Sequence, residues 1–263
     1  FDKLGNLFGY HGFGRDISEQ KQAGDEIHRL AFYDALTGLP NRRLLLEQLK
    51  RALHANARHH MHGALLFIDL DNFKTLNDTL GHDVGDLLLQ QVAQRLTDCV
   101  RESDTVARLG GDEFVLVLED LGTESHAAAL QADSVGRKIL AALNEPYDLA
   151  GREHHSSPSM GITLFDVRSH SVDDLLKQAD LAMYQAKAAG RNTLRFFDPS
   201  MQIELESWVA MEFDLRDGLQ GGEELVLYFQ PTVGATGQVT GAEALVRWMQ
   251  PNRGLVMPEN FIA

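Results

Sequence analysis

Two adjacent glycines, Gly110 and Gly111, lie between two short apolar runs and are followed at once by two carboxylates, Asp112 and Glu113. The flanking runs are rich in β-branched residues, which predicts two strands joined by a hairpin turn, because glycine takes positive φ at no steric cost. Carboxylates beside a bare backbone offer hard oxygen ligands to a cation and room for a phosphate. An ordinary acidic hairpin has the same pattern, and the pentapeptide ending at Phe114 does not separate the two interpretations.

Composition limits the class of protein. The chain has 263 residues, 44% hydrophobic and 24% charged, which predicts one large or two modest globular domains. The net charge of −14 argues against a nucleic-acid partner and against contact with an anionic membrane, but not against a nucleotide. The single cysteine, Cys99, excludes a disulfide framework and favours a cytoplasmic location. No apolar run reaches the ~18 residues of a membrane span, and the start at Phe1 favours a fragment of a longer protein, which could itself be membrane-attached.

Hydrophobic periodicity predicts an alternation of strands and helices. Residues 63–70 form an apolar run typical of a strand buried on both faces. Further helices are predicted after Asn41, which can cap the first of them, and at 84–102, 124–143 and 172–189, with strands at 147–149, 156–165 and 193–197. The core order β-α-β-β-α-β, with an extra helix and strand, predicts an α+β fold: a ferredoxin-like, polymerase-palm-like sandwich. In this order the strand that ends at Asp69 and the hairpin at Asp112 become neighbours.

Three acidic residues are therefore candidate ligands for one or two divalent cations on a nucleoside triphosphate: Asp69, Asp112 and Glu113. Lys74, Lys187 and Arg191 are candidate phosphate contacts. Each basic residue alone is more typical of a solvated surface charge, and the combination with the carboxylates is what favours a phosphate site. No P-loop or dinucleotide-binding motif is present in the sequence, so the phosphates must be held in another way.

Two stretches leave their role open. Residues 16–33 predict a helix with a narrow apolar stripe, which suits either a solvated linker or a short coiled coil between two protomers. A histidine cluster follows the first predicted helix and is typical of a polar surface loop, with metal binding as the alternative: His54, His59, His60 and His62.

Over about residues 31–197 the chain resembles the GGDEF family of diguanylate cyclases. The resemblance is carried by five motifs in order: DALTGLPNRR, FIDLDNFKTLNDTLGHDVGD, ARLGGDEFVLVL, SMGIT and ADLAMYQAKAAGRN. It implies an enzyme that condenses two GTP into cyclic di-GMP and two pyrophosphates, working as a homodimer with Mg²⁺ or Mn²⁺. In such a dimer each protomer holds one GTP, and the 3′-OH of each GTP attacks the α-phosphate of the other.

The resemblance also implies roles for individual residues. Asp69 and Asp112 would ligate the metal with help from the Leu70 carbonyl, and Glu113 would be a general base or a second ligand. Asn77 and Asp86 would read the guanine edge. The remaining implied nucleotide contacts are Lys74, Lys187, Arg191, Gly110 and Gly111, and His82 lies in the nucleotide loop with its role open.

A second site is implied by the sequence from Arg101 to Asp104. Asp104 lies six positions before Gly110, where the family carries an inhibitory product site. There Arg101 would stack on and hydrogen-bond guanine, and Asp104 would accept a hydrogen bond from it. The Arg-x-x-Asp pattern alone is typical of a local salt pair, and it recurs at Arg195 to Asp198.

The chain as a whole is expected to contain four regions. Residues 1–33 resemble the tail of a PAS sensor with a signalling helix, 34–198 form the cyclase domain, 199–219 a linker helix, and 220–263 resemble the truncated start of an EAL phosphodiesterase. In the EAL family Glu243 would bind metal and Arg247 phosphate. A (β/α)₈ barrel needs ~250 residues, so no phosphodiesterase activity is expected from this segment.

Two other functions remain as alternatives. One is a regulatory GTP-binding module that controls the phosphodiesterase of the parent protein without catalysis, and the other is a cyclic di-GMP receptor that works through Arg101 and Asp104. Degenerate motifs would favour the regulatory module, and none of the implied site positions is degenerate.

Overall fold

The computed structural model describes Leu4, residues 26–166 and 171–198, and, with gaps, residues 211–258. The chain divides into two compact units, Phe1–Phe197 and Asp198–Ala263. The expected PAS tail, most of the helix expected at 16–33 and most of the expected linker helix lie outside the described residues. No helix in the described part of the chain combines the length and apolar character needed to cross a bilayer.

Residues 26–32 are helical. Beyond them, the described part of the first unit contains five helices: α1 (Arg42–His59), α2 (Phe73–Leu80), α3 (His82–Cys99), α4 (Ser125–Asn144) and α5 (Val172–Ala188). Asn41 caps α1 as expected, since its side-chain oxygen accepts hydrogen bonds from the backbone of Arg43 and Leu44. The helix α1 continues through His54 and His59, which were expected in a loop after it.

The helix α2 was missed by the sequence analysis. It is eight residues long and buries only Phe73 and Leu76, which is too little apolar periodicity to recognise. Gly81, with φ of 88°, turns the chain sharply after it, so that α3 begins at His82, two residues earlier than predicted.

Five strands form a mixed sheet in the order β2–β3–β1–β6–β7: β1 (Gly63–Leu70), β2 (Thr105–Gly110), β3 (Glu113–Leu118), β6 (Pro158–Phe165) and β7 (Leu194–Phe196). Only β6 and β7 pair in parallel within this sheet. The strands β4 (Tyr147–Leu149) and β5 (Arg152–His154) form a separate hairpin, of which β5 was not predicted. The predicted α+β sandwich is confirmed, with the apolar strand β1 at the centre of the sheet.

Helices cover both faces of the sheet, which explains why every residue of β1 is buried. One face carries a core cluster to which α1 contributes Leu45 and Leu49 and α5 contributes Leu175 and Met183. On the other face, α4 approaches the sheet through the small residue Gly136. This packing fixes the end of α5 over the strands that carry the acidic residues.

The second unit contains a three-stranded antiparallel sheet in the order β10–β9–β8: β8 (Leu225–Val233), β9 (Val239–Gln250) and β10 (Gly254–Val256). Gln230 lies opposite Glu243 in the β8–β9 ladder. The Arg247 guanidinium lies 5.9 Å from the centroid of the Tyr228 ring.

Candidate active site

Strand register places two of the predicted carboxylates side by side. The strands β1 and β3 are antiparallel, and Asp69 lies directly opposite Glu113. Side chains at such paired positions share a face of the sheet, with Cβ atoms about 5 Å apart. Asp69 is 8% exposed, at the end of an interior strand. The two carboxylates therefore converge, although they are far apart in sequence.

The glycine turn explains how the third carboxylate joins them. Gly110 and Gly111 have φ of 143° and 54°, backbone that favours glycine, and the β2–β3 register shifts between Arg108 and Gly110. Asp112 lies in this turn, next to Glu113. A Cβ at either glycine would have no atom within 4 Å, so the turn presents open backbone. The predicted hairpin is confirmed, and it leaves space beside the acidic residues.

Burial and repulsion from neighbouring carboxylates raise the pKa of Asp69 and of Glu113. Burial is the largest cause of the raised pKa of Asp69, to which Asp112 adds, while Lys187 acts in the opposite direction. Burial likewise raises the pKa of Glu113, followed by the charges of Asp69, Asp112 and Asp180. These carboxylates repel one another, and a bound cation would reduce that repulsion.

Lys187 places a positive charge beside these carboxylates. Its Nζ lies 2.7 Å from Asp69 Oδ1, in the last turn of α5. The sequence predicts that Lys187 contacts phosphate, and in the structure its ammonium forms an ion pair with the candidate metal ligand Asp69. Arg191, the other expected phosphate contact on this side, is exposed in a left-handed turn with φ of 63° just beyond α5.

Asp71 was not predicted as a site residue, but it holds three segments of the site together. Its carboxylate accepts hydrogen bonds of 2.7 Å from Ser157 and from Ser159, and one of 3.1 Å from the Asn192 backbone. The end of β1, the segment that leads into β6 and the turn that carries Arg191 thus meet at one buried carboxylate. The only sequence signal was its spacing of two from Asp69, which does not reveal its partners.

Arg108 and Asp34 support the glycine turn through hydrogen bonds, and the sequence did not predict either of them as a site residue. Arg108 donates from Nε and Nη2 to the Gly111 carbonyl at 3.1 and 2.7 Å, and from Nη1 to Asp34 Oδ1 at 3.0 Å. Partial burial opposes ionisation of Asp34, but hydrogen bonds from Thr37 and the Arg108 charge outweigh it and lower the pKa of Asp34. The sequence signal for this role was the charge of Arg108 within the otherwise mainly apolar strand β2.

The expected base-reading residues lie around the α2–α3 corner. Lys74 and Asn77 are on α2, and His82 and Asp86 are on α3. Lys74, His82 and Asp86 are exposed, whereas Asn77 is half-buried. Asn77 Oδ1 is enclosed and has no hydrogen-bond partner among the described residues. A buried acceptor without a donor is costly, so this residue is a candidate for ligand contact.

The expected product site lies away from the acidic cluster, before β2. Asp104 accepts hydrogen bonds from the backbone of Arg101 at 3.0 Å and of Glu119 at 3.3 Å. The contact with Arg101 uses its backbone amide, and the Arg101 side chain is exposed. A cavity of about 300 Å³ opens beside both residues and is also lined by Lys138 and Leu118.

The donor chemistry fits a hard cation, although the carboxylates alone do not form a cage. Within the described ranges, no three His, Cys, Asp or Glu side chains are grouped closely enough to hold a metal ion. This includes the histidines around His59. Mg²⁺ usually takes one or two carboxylates, waters and substrate phosphates, and Asp69, Asp112 and the buried end of β1 at Leu70 supply such a partial set.

Comparison with known proteins agrees with this geometry. The family model described as "Diguanylate cyclase, GGDEF domain" matches residues 31–193. The chain belongs to the GGDEF family. The family model of the EAL domain matches residues 213–263. The resemblance seen in the motifs is thereby confirmed for both segments.

Relatives of this GGDEF domain extend the comparison to whole signalling proteins. The chain is 42% identical over 242 residues to a bifunctional diguanylate cyclase/cyclic di-GMP phosphodiesterase, MucR of Pseudomonas aeruginosa, covering 92% of the chain and 34% of that protein. It is 39% identical over 248 residues to the cyclic di-GMP phosphodiesterase NbdA of the same organism, covering 94% and 31%. The chain thus spans about a third of the length of these relatives.

A solved GGDEF domain shares the fold. The isolated GGDEF domain of TpbB, also called YfiN, from Pseudomonas aeruginosa superposes with a TM-score of 0.60 at 38% identity. The match covers 66% of this chain and 99% of that one. The first unit therefore has the architecture of a GGDEF domain.

Proposed function

We propose that residues 34–198 are a diguanylate cyclase domain that condenses two GTP into cyclic di-GMP and two pyrophosphates. The observation that carries this proposal is the direct pairing of Asp69 with Glu113, next to Asp112 and an open glycine turn. Nucleotidyl transfer needs such an acidic cluster beside backbone that admits a phosphate. Because the reaction joins two nucleotides, the proposed active form is a homodimer with one GTP on each protomer.

A divalent cation, Mg²⁺ or Mn²⁺, would be held by Asp69 and Asp112 with the Leu70 carbonyl. When bound, it would neutralise the triphosphate charge that grows as pyrophosphate leaves. Glu113 would be either a further ligand or the base that accepts the proton of the attacking 3′-OH. Its raised pKa suits the second role, since a carboxylate with a higher pKa is a stronger base.

In each half-reaction, the 3′-oxygen of one GTP forms a bond to the α-phosphorus of the other. The bond between the α-phosphorus and the bridging oxygen breaks, and pyrophosphate carries away the electron pair. Gly110 and Gly111 leave room for the α-phosphate. Lys74, Lys187 and Arg191 would compensate phosphate charge, for which Lys187 must exchange its partner Asp69 for the substrate.

Guanine would be read by Asn77 and Asp86, beside the exposed His82 at the α2–α3 corner. A carboxylate accepts hydrogen bonds from N1–H and the N2 amino group of guanine, which adenine cannot offer on the same edge. The product would bind at Arg101 and Asp104, where the exposed guanidinium and the adjacent cavity support an inhibitory site. Because the domain would consume GTP, a cytoplasmic nucleotide pool is part of the proposal.

The proposal is tested by incubating the purified chain with GTP and Mg²⁺ and separating the nucleotides. Glu113→Gln should reduce cyclic di-GMP formation by roughly 10²-fold or more, the range seen on loss of a proton-transfer group. Glu119→Gln is the matched control, because Glu119 also has a pKa raised mainly by burial but lies beyond the other end of β3. Equal activity of the two variants would contradict the assigned role of Glu113.

A regulatory GTP-binding module is the second candidate function. It is favoured by the EAL match and by relatives such as NbdA that are named as phosphodiesterases. GTP binding without turnover, even in a chain fused to a dimerising segment, would support it. Cyclic di-GMP binding without GTP affinity would instead support a receptor. We attribute no phosphodiesterase activity to residues 213–263 by themselves, because a complete barrel needs about 250 residues.

A further inference from the structure

Gly85 is a buried glycine in the first turns of α3. Its φ lies outside the left-handed region, so the backbone does not require glycine there. Alanine is favoured over glycine in helices. The reason for glycine at position 85 must therefore lie in the neighbouring atoms that a Cβ would meet.

The neighbour is the side chain of Asn77. An ideal Cβ built on Gly85 would overlap Asn77 Oδ1 and would lie 3.0 Å from Asn77 Cγ and 3.3 Å from Phe73 Cζ. The obstructed group is thus the carboxamide, whose oxygen rests directly against the Gly85 backbone. Asn77 as a whole is half-buried, so its carboxamide is enclosed at Oδ1 while part of the residue reaches the surface.

The main chain around this contact is held by backbone hydrogen bonds, which do not depend on the side chain at position 85. Gly81 donates from its backbone N–H to the Asn77 carbonyl at 2.9 Å, and Gly85 donates to the Gly81 carbonyl at 3.3 Å. A Cβ at Gly81 would meet nothing, so that glycine provides the turn, whereas Gly85 provides space. A side chain at Gly85 would consequently push the Asn77 carboxamide away while the α2–α3 corner stays in place.

We propose that Gly85 is a positioning residue that sets base selectivity, because it leaves room for the Asn77 carboxamide beside the nucleotide base. This inference rests on the proposed function, in which Asn77 and Asp86 read guanine. Gly85 lies directly against the side chain of Asn77, one of the two base-reading residues. The other, Asp86, is the next residue in the helix. A group that acts only on the fold would not change the preference between two bases.

The test measures binding of 3′-deoxy-GTP and 3′-deoxy-ATP to the whole chain with Mg²⁺, since these nucleotides lack the attacking hydroxyl and are not condensed. Gly85→Ala should raise the Kd for 3′-deoxy-GTP about tenfold, the effect of losing one well-placed hydrogen bond, and that for 3′-deoxy-ATP less than about twofold. Gly136→Ala is the matched control. It is also a buried helix glycine, crowded only by the side chains of Leu194 and Ile162 at 3.1 and 3.3 Å, and it should change neither Kd by more than about twofold.

The variants Asn77→Ala and Asn77→Ala/Gly85→Ala complete a double-mutant cycle. If Gly85 acts through Asn77, the double variant binds 3′-deoxy-GTP no more weakly than Asn77→Ala. This comparison also serves if Gly85→Ala alone folds poorly, because the shorter side chain at position 77 removes the obstruction.

Three results would overturn the inference: an unchanged Kd for 3′-deoxy-GTP in Gly85→Ala, equal weakening of both nucleotides, or effects of the two substitutions that simply add. Each of these leaves the proposed function intact as long as the unaltered chain prefers guanine. Failure of the unaltered chain to bind 3′-deoxy-GTP would remove the proposed function and this inference together.

Discussion

Replacing Arg108 by alanine should destabilise the first unit and loosen the glycine turn. The Arg108 side chain is 9% exposed and donates three hydrogen bonds, two to the Gly111 carbonyl and one to Asp34. Alanine would leave the Gly111 carbonyl without these donors, and the Asp34 carboxylate would keep the two hydrogen bonds that Thr37 donates to it.

The size of the loss follows from these contacts. Removing one partner of a largely buried ion pair costs up to 3–5 kcal/mol, and hydrogen bonds to charged groups contribute about 1.5–3 kcal/mol. Because Asp34 is partly exposed and keeps the bonds from Thr37, we expect the free energy of unfolding to fall by about 2–4 kcal/mol. At about 2–4 °C per kcal/mol for a domain of this size, the melting temperature should fall by roughly 5–15 °C.

Urea unfolding followed by circular dichroism measures this loss, with Arg137→Ala as the control. Arg137 also pairs with an aspartate, Asp133, but its side chain is 61% exposed, so its removal should cost at most about 1 kcal/mol. The loss in Arg108→Ala should shrink at acid pH. The lowered pKa of Asp34 gives stability that is present above its unfolded pKa and disappears as the pH falls through its folded pKa. If Arg108→Ala and Arg137→Ala unfold within about 1 kcal/mol of each other, the turn does not depend on Arg108 as argued.

Three further outcomes are expected. Gly161→Ala should lower the free energy of unfolding, measured by urea titration, by about 1–3 kcal/mol or more, because its Cβ would overlap the α5 backbone. An unchanged free energy of unfolding would mean that the sheet and the helix move apart at little cost. Glu113→Gln should make the metal-free protein more stable at neutral pH. Because the pKa of Glu113 is raised in the native state, the native state binds this proton more tightly than the unfolded state, and stability is lost as the pH rises through that pKa. Melting temperatures that change in parallel for both proteins from pH 4 to 8 would disprove the shift. Arg101→Ala should keep cyclic di-GMP formation within about twofold but abolish inhibition by added product, whereas Arg195→Ala, from the other Arg-x-x-Asp sequence, should keep both. Unchanged inhibition in Arg101→Ala would remove the proposed product site.

Local chemistry was sufficient for the elements whose signals lie within a few residues. The apolar run at 63–70 is the buried central strand, the two glycines form the hairpin, and Asn41 caps α1. Each of these depends on the residue's own conformational preference or on its nearest neighbours in the chain. The helix α2 escaped because a short helix with two buried residues leaves almost no periodic pattern.

Only the tertiary structure decided which side chains meet. Arg108 and Asp34 are 74 positions apart, and Asp71 finds partners 86 to 121 positions away. Lys187 was expected at a phosphate and pairs with Asp69 because α5 ends over β1. The physical reason is that a pattern of apolar and polar residues reports which face of an element is buried, whereas strand register and helix packing determine the contacts across it.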